Sequence, residues 1–518
     1  MKLNLCLLAG LLAFAACGQT PSNDSEPEPE KGWLITSPKD TIVFQSSGGT
    51  DSITVRTSAS SWTVSSNRSW LTVSESVCFE SPHTIGITVA RNTLPEDSDR
   101  IATLIFSAPS IDTVFRYVRQ RQYVDPNYIK PVDYPSYKDS IAPDRSGMSL
   151  SVTELAKQCP LGWNLGNTLE VPSDETAWGN ALTTQALADS VYAAGFRFIR
   201  IPCSWGSHSD SQAKIQADYM ARVKKVVDYF LKNEGTYVMI NCHWDNGWLE
   251  EHPTYNWQYN CCGKQRALWE QIALAFRDYD ERLLFSGVNE VHASYSNPSA
   301  ENEEVHESYI QTFVDAVRST GGRNAWRVLI CPCYNTNIDY GYNKFHLPTD
   351  RVENRLMVEV HYYDPWDYCG TADGKLFWGD AYKSYPDCST ATEADMKKQF
   401  RKCYDKWASK GIPVVLGEFS ATSHTTAAYN KGTTEEQKEE YKQKSQESRG
   451  YYHECVVKNA KNNGIIPVYW DNGPYGYNSS GLFYRRSDRA GGYPMGKQMD
   501  TESIKGLQRG AAAGNYPW

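Results

Sequence analysis

From residue 150 onward the chain alternates between two hydrophobic patterns. Continuous apolar runs of strand length recur at 160–165, 196–201, 236–243, 283–289, 327–333, 356–361, 413–418 and 465–470. A run without polar interruption marks a strand buried on both faces, as in a parallel sheet. Between the runs, apolar positions fall at helical spacing. Met396, Phe400, Cys403, Tyr404 and Trp407 share one face, and Tyr309, Phe313 and Val317 another. Eight strands spread over about 370 residues predict a single (β/α)8 barrel with elaborated loops. Residues 33 to 122 read differently. Thr41-Ile42-Val43-Phe44, Ser52-Ile53-Thr54-Val55, Ile85-Gly86-Ile87-Thr88-Val89 and Ala102-Thr103-Leu104-Ile105-Phe106 are short alternating or β-branched runs, with Gly48-Gly49 and Asn92 at turns. About seven such runs predict a small sandwich. The expected fold class is α/β, a (β/α)8 TIM barrel preceded by a small all-β sandwich domain.

The boundaries follow from breaks in these patterns. Residues 123–149 contain Pro126, Pro131, Pro135 and Pro143 without periodicity and read as a linker before a barrel spanning 150–518. At the start, Lys2 precedes an apolar run from Leu7 to Ala16, too short for a membrane span and suited to a signal peptide over 1–16. Phe14-Ala15-Ala16-Cys17 resembles a bacterial lipobox. That resemblance implies cleavage before Cys17, a lipid on Cys17 as the membrane attachment, and an exported lipoprotein of the outer membrane or cell surface. The Pro, Ser and acidic residues of 17–32 suit a flexible tether.

Composition narrows the partners. The net charge of -9 argues against nucleic acid, whose phosphates demand clustered Lys and Arg. Sixteen Trp and 33 Tyr exceed what cores need, so some rings are expected to line a surface. Of the 14 cysteines, Cys203, Cys242 and Cys331 fall in or beside predicted strands and read as buried free thiols. Cys369 and Cys388 share one long loop and are the best candidates for a disulfide in an exported chain. Cys261-Cys262 and Cys331-Pro332-Cys333 lack the partner pairs of a zinc site, so neither metal nor cofactor is read from the sequence. A monomer is expected.

The chemistry concentrates at two strand ends. Leu283-Leu284-Phe285-Ser286-Gly287-Val288-Asn289-Glu290 and Pro413-Val414-Val415-Leu416-Gly417-Glu418-Phe419 each finish an apolar run on a carboxylate. The C-terminal strand ends of such a barrel floor its active site. Two glutamates delivered there can converge across one cleft, and paired carboxylates are the tools of glycosidic bond cleavage.

The surrounding motifs sharpen this reading. Gly162-Trp163-Asn164-Leu165-Gly166-Asn167-Thr168, Phe198-Ile199-Arg200-Ile201-Pro202, Ile240-Asn241-Cys242-His243, Val288-Asn289-Glu290, His361-Tyr362-Tyr363, Leu416-Gly417-Glu418-Phe419 and Val468-Tyr469-Trp470 resemble, in order, seven strand-end motifs of glycoside hydrolase family 5. The likeness covers 150 to 518. Upstream, Gly48-Gly49-Thr50, Trp62, Trp70-Leu71, Arg100 and Gln120 resemble a BACON domain, found on bacterial surface glycosidases. Its tryptophans suit either glycan contact or the sandwich core, with a spacer role favoured.

The family resemblance implies a retaining double displacement. Glu290 would be the general acid and base, with its pKa raised to hold a proton. Glu418 would be the nucleophile, kept ionised by Arg200, since a nearby cation lowers a carboxylate by about 1–3 units. The carboxyls should stand roughly 5–5.5 Å apart. Asn289 would bond the sugar 2-hydroxyl and Tyr363 would steady the nucleophile. His243 and His361 would order the polar network, and Trp470 would floor the sugar site, with Asn164 among the supporting residues. Trp205, Trp244, Trp248, Trp257, Trp366 and Trp378 lie in strand-end loops and suit either sugar stacking or loop cores.

Two departures bear on substrate rather than reaction. Val291 follows Glu290 where the family usually has proline, and Trp244 follows His243 where many members have a second histidine. The substrate expected is a plant cell-wall β-1,4-glucan cut internally, with xyloglucan first and cellulose, mixed-linkage glucan and glucomannan as alternatives. Two other classes stay open. A metal-dependent hydrolase would use His243, His361 and Glu290, but would want His-x-His where Gly162-Trp163-Asn164 stands. A non-catalytic glycan-binding surface protein would have no need of both glutamates.

Overall fold

The computed structural model describes residues 31–92, 99–122, 129–371, 373–486 and 492–518, which divide into two compact units between 128 and 129. Cys17, the signal segment and most of the tether lie outside the described residues. No helix among the described residues is long and apolar enough to cross a membrane.

The amino-terminal unit is a sandwich of two sheets. Leu34–Ser37, Gly49–Thr57, His83–Val89 and Leu71–Val73 form a four-stranded sheet in that order. Ile42–Phe44, Ile111–Gln120, Arg100–Ala108, Trp62–Ser66 and Val77–Cys78 form a five-stranded one. The nine strands among the described residues exceed the seven runs expected because Leu71–Val73 and Val77–Cys78 are too short to alternate visibly. Alternate residues point inward, and Ile53, Val55, Val64, Ile85, Ile87, Leu104 and Phe106 fill the space between the sheets. Trp62 is buried with them, its indole donating to the Glu80 carbonyl. Trp70 is half-buried beneath the Arg100 guanidinium, 4.5 Å from the ring centre.

In the second unit eight parallel strands close into a barrel: Gly162–Leu165, Phe198–Ile201, Tyr237–Asn241, Leu283–Ser286, Leu329–Pro332, Leu356–Tyr362, Val414–Phe419 and Ile465–Asp471. Every predicted run coincides with one, the last three strands running one residue further than expected. The helices Gln185–Ala193, Ala217–Leu231, Tyr255–Ala275, Ala300–Ser319, Ile338–Asn343, Glu393–Lys406, Glu435–Asn462 and Thr501–Ala513 follow them in turn. Two starts are set by capping boxes, in which Ser299 with Asn302 and Thr392 with Asp395 satisfy otherwise orphaned backbone N–H groups.

Strand side chains alternate between two cores. Trp163, Ile199, Ile240, Phe285, Leu329, Val360 and Leu416 pack outward against the helices. Phe198, Met239, Leu284, Ile330, Met357, Val415 and Ile466 fill the barrel's lower interior, closed by Val152 and Leu155 of the short helix Val152–Lys157. One step further along the same faces the interior turns polar, with Asn164, Arg200, Asn241, Ser286 and Glu359 all buried.

The stretch read as linker behaves differently from that expectation from Ile129 on. Prolines keep it out of regular structure, but its backbone bonds to the barrel unit. Val132 N–H donates to Asn260, the Ser136 hydroxyl and the Tyr137 and Lys138 N–H groups donate to Glu270, and Ile141–Pro143 pairs with Gly321–Gly322. The disulfide expectation is also corrected. Cys369 and Cys388 are both free: Cys369 is buried with its thiol 3.1 Å from the Tyr452 hydroxyl, and Cys388 lies on a bridge with Phe377. Cys203, Cys242 and Cys331 are buried free thiols as expected.

Candidate active site

The polar layer at the C-terminal mouth is organised by Arg200. This fully buried guanidinium, from the second strand, donates through Nη1 to Glu418 Oε1 at 2.9 Å and to Asn164 Oδ1 at 3.1 Å. Its Nη2 donates to Asn289 Oδ1 at 2.7 Å, and its Nε lies 3.0 Å from Glu359 Oε1. Asn164 in turn donates to the Gly417 carbonyl at 2.8 Å, tying the first strand to the seventh.

A local irregularity aims Glu418. The sixth and seventh strands run in register through Val360 and Leu416, then shift, so that His361 pairs with Glu418. Such an extra residue re-aims the side chains that follow it. Val415 faces the barrel interior, so strict alternation would point Glu418 outward, and the shift at Gly417 returns it to the interior one position early. Gly417 has to be glycine, because a Cβ there would collide with the Glu359 carboxylate.

Glu290 follows the fourth strand and meets Glu418 through His361. The imidazole Nδ1 lies 2.6 Å from Glu290 Oε1 and 3.8 Å from Glu418 Oε2, and Nε2 lies 3.2 Å from Glu359 Oε1. The Tyr363 hydroxyl donates to Glu418 Oε2 at 3.0 Å. One donor atom from each of Glu290, His361 and Glu418 falls within 4.8 Å of the other two. At least one oxygen of each carboxylate therefore lies within 4.8 Å of the other carboxylate. These three groups are also the barrel's candidate cation ligands. However, Arg200 already neutralises one face of Glu418, and both His361 nitrogens are engaged by carboxylates, so a cation would displace existing bonds.

Protonation departs from the expected order. Burial opposes a charge on His361, but Glu418, Glu290 and Glu359 outweigh it and push its pKa up to about 10. It is therefore an imidazolium that donates from both nitrogens. Burial alone would raise Glu290, yet the bond and charge of His361, with Arg200 and His292, hold it below the ordinary carboxylate range. Burial raises Glu418, aided by Glu290 and opposed by His361, Arg200 and Tyr363. The expected raised acid and depressed nucleophile are thus reversed in the free protein, because the imidazolium sits closer to Glu290 than to Glu418. The three groups titrate as one coupled set.

Other expected residues are placed as follows. His243 is half-buried, 3.3 Å from the Asn241 amide, and held neutral by burial and by the charges of Arg200 and His361. Its ring lies parallel to the half-buried Trp470, with centres 5.8 Å apart. Trp205 and Trp378 are buried core residues, Trp205 donating to the Asn241 carbonyl. Trp244, Trp248 and Trp257 are half-buried, and Trp366 is exposed near Tyr363.

Two glutamates beside the site went unrecognised in the sequence. Glu359 is wholly buried and receives the Ser286 hydroxyl at 2.6 Å. Burial would raise it, but Arg200, His361 and Ser286 hold it ionised. Strand periodicity over Met357, Glu359 and His361 was the available signal. Glu250 lies in the loop after the third strand, where nothing periodic marks it. Burial and the charge of Glu290 push its pKa up to about 8, and Asn289 donates to it at 3.3 Å.

A parallel barrel presenting two carboxylates across one mouth has the equipment of a glycoside hydrolase. Comparison with known proteins gives the family. The cellulase model of glycosyl hydrolase family 5 matches residues 158–476, and the BACON model matches 60–117. A xyloglucan-specific endo-beta-1,4-glucanase of Bacteroides ovatus is 33% identical over 464 residues, 86% of each chain. A solved Bacteroides ovatus GH5 xyloglucanase in complex with a XXXG heptasaccharide superimposes with a TM-score of 0.65 at 32% identity, covering 93% of this chain and 100% of its own. A GH5 xyloglucan-specific beta-1,4-glucanase from a ruminal metagenomic library, in complex with XXLG, gives 0.63 at 38% identity, covering 71% and 98%. The chain belongs to glycosyl hydrolase family 5. It is an endo-glucanase with a polysaccharide substrate, and its amino-terminal module is that of enzymes working outside the cell or at its surface.

Proposed function

We propose that the protein is a retaining, xyloglucan-cleaving endo-β-1,4-glucanase in which Glu418 is the nucleophile and Glu290 the acid and base. The observation that carries the assignment of roles is the arrangement around Glu418. Arg200 and Tyr363 each fix one of its two oxygens, the posture of a carboxylate that must attack along one line. Glu290 has His361 as its proton partner instead. Passing the proton of the 2.6 Å bond from Nδ1 to Oε1 makes the neutral acid without drawing on solvent. Glu418 then attacks the anomeric carbon as Glu290 protonates the departing oxygen. Glu290 next takes a proton from the water that opens the glycosyl ester. Asn289, aligned by Arg200 and Glu250, faces the 2-hydroxyl, and Trp470 backs the sugar ring beside the nucleophile.

Xyloglucan is favoured because the solved xyloglucan-active relatives superimpose with TM-scores of 0.65, 0.63 and 0.61, above the 0.58 to 0.59 of broad-specificity endoglucanases of the same family. Anchorage through a lipid on Cys17 and a spacer role for the sandwich complete the reading, with Trp62 in the core and Trp70 under Arg100 supporting spacing over glycan stacking. Glu418→Ala should lower kcat by at least about four orders of magnitude. Reducing-sugar release from xyloglucan, barley glucan, glucomannan and carboxymethyl cellulose measures this and ranks the substrates. Activity retained in the variant overturns the nucleophile, and a preference for unbranched glucan overturns the substrate.

A further inference from the structure

The sandwich unit gathers three side chains that hydrolysis does not use. Glu75 lies in the turn before Val77–Cys78, Cys78 on that strand, and His83 at the start of His83–Val89. A donor atom from each lies within 4.8 Å of the other two. Glu75 Oε2 is 3.8 Å from Cys78 Sγ and 3.3 Å from His83 Nε2. Cys78 is a buried free thiol. His83 Nε2 is shut off from solvent and makes no hydrogen bond, although its ring is aimed at the other two. On the far side of that ring, Nδ1 faces Glu80 Oε2 at 3.4 Å. Carboxylates thus face both ring nitrogens, and a metal bound at Nε2 would leave Nδ1–H to donate to Glu80, the arrangement that orients metal-binding histidines.

We propose that Glu75, Cys78 and His83 form a zinc site, with water as the fourth ligand. Tetrahedral zinc holds sulfur at about 2.3 Å and nitrogen or oxygen at about 2.0–2.2 Å, which sets neighbouring donors about 3.3–3.6 Å apart. The Glu75–His83 distance already fits, and the Glu75–Cys78 distance needs a contraction of a few tenths of an ångström. Thiolate and imidazole together select a borderline-soft ion over magnesium or calcium. Binding involves no oxidation. The Cys78 thiol releases its proton to solvent, and zinc accepts lone pairs from sulfur, Nε2 and a carboxylate oxygen. Cys78 belongs to the five-stranded sheet and His83 to the four-stranded one, so the metal clamps the two sheets together. The amino-terminal module would then be held rigid by a metal clasp in addition to its small core.

The test uses the full-length protein, stripped with a chelator and then equilibrated with zinc. Mass spectrometry of bound metal should find one zinc per chain in the wild type and none in Cys78→Ser or His83→Gln. Glu75→Gln, at an exposed carboxylate whose loss leaves the core untouched, should weaken binding at least tenfold. Cobalt in place of zinc should give a thiolate charge-transfer band that Cys78→Ser abolishes. Zinc should raise the unfolding temperature of the sandwich transition in the wild type only, without altering glucan hydrolysis. No zinc at saturating metal overturns the proposal. So does equal binding by all three variants, which would send the ion to the barrel's carboxylate–histidine group, with hydrolysis falling accordingly.

Discussion

Glu359 touches no part of the bond being broken, yet it holds the two cationic groups that contact the reacting carboxylates. Its ionised carboxylate holds Arg200 Nε and His361 Nε2 together in the buried floor of the site. Removing that charge while keeping the shape tests this. Glu359→Gln should lower kcat about 10²-fold, the scale of a slight misplacement of reacting groups. It should also alter pH dependence. The folded pKa of His361, about 10, stands above its ordinary value of 6.5. Its stabilising contribution is therefore full below about 6.5 and lost as pH rises through 10. Thermal unfolding from pH 6 to 10.5 should show that loss in the wild type and a shallower one in Glu359→Gln. Identical curves would remove His361 as the alkaline-sensitive group. Arg200, Glu290 and Glu418 were legible because they end or interrupt apolar runs that demand explanation. The order of their proton affinities was not, because it turns on the difference between 2.6 Å and 3.8 Å around one imidazole.

The seventh strand shows how an element can be readable in type and opaque in detail. Its continuous apolar run predicts a buried parallel strand, and one is present at Val414–Phe419. The register shift at Gly417 leaves no trace in that pattern, since residues on both faces are buried. Glycine is the trace, and its meaning appears only once the Glu359 carboxylate is found against it. Gly417→Ala should push the two strands apart, destabilising the barrel by about 1–3 kcal/mol as overpacking does. Glucan hydrolysis should fall by more than the loss of folded protein explains, because the shift aims Glu418. A denaturant melt beside kcat separates the effects, and wild-type kcat in the folded variant would sink the argument. The docking of segment 129–149 onto the barrel is illegible in the sequence for a related reason. Its partners, such as Asn260 and Glu270, lie more than a hundred positions away, and no local pattern announces them.

At the scale of the whole molecule, the division at 128 and 129 predicts where the chain can be cut. A protein begun at Ile129 should melt with the native barrel and hydrolyse soluble glucan at the native rate. One begun at residue 150 leaves Glu270, only 2% exposed, without the Ser136 hydroxyl and two backbone N–H groups. Hydrogen bonds to a buried charge contribute about 1.5–3 kcal/mol each, so this chain should melt at least about 5 °C lower. Equal melting of the two would show that the segment adds nothing. The same segment has a mechanical side. Tension entering from the amino-terminal direction meets Ile129–Pro143 first, where it is lashed to the helix Tyr255–Ala275 and to Gly321–Gly322. Pulling loads that girdle before the first catalytic strand, so an enzyme tugged against an insoluble fibre would yield at its lashings while the cleft kept its shape.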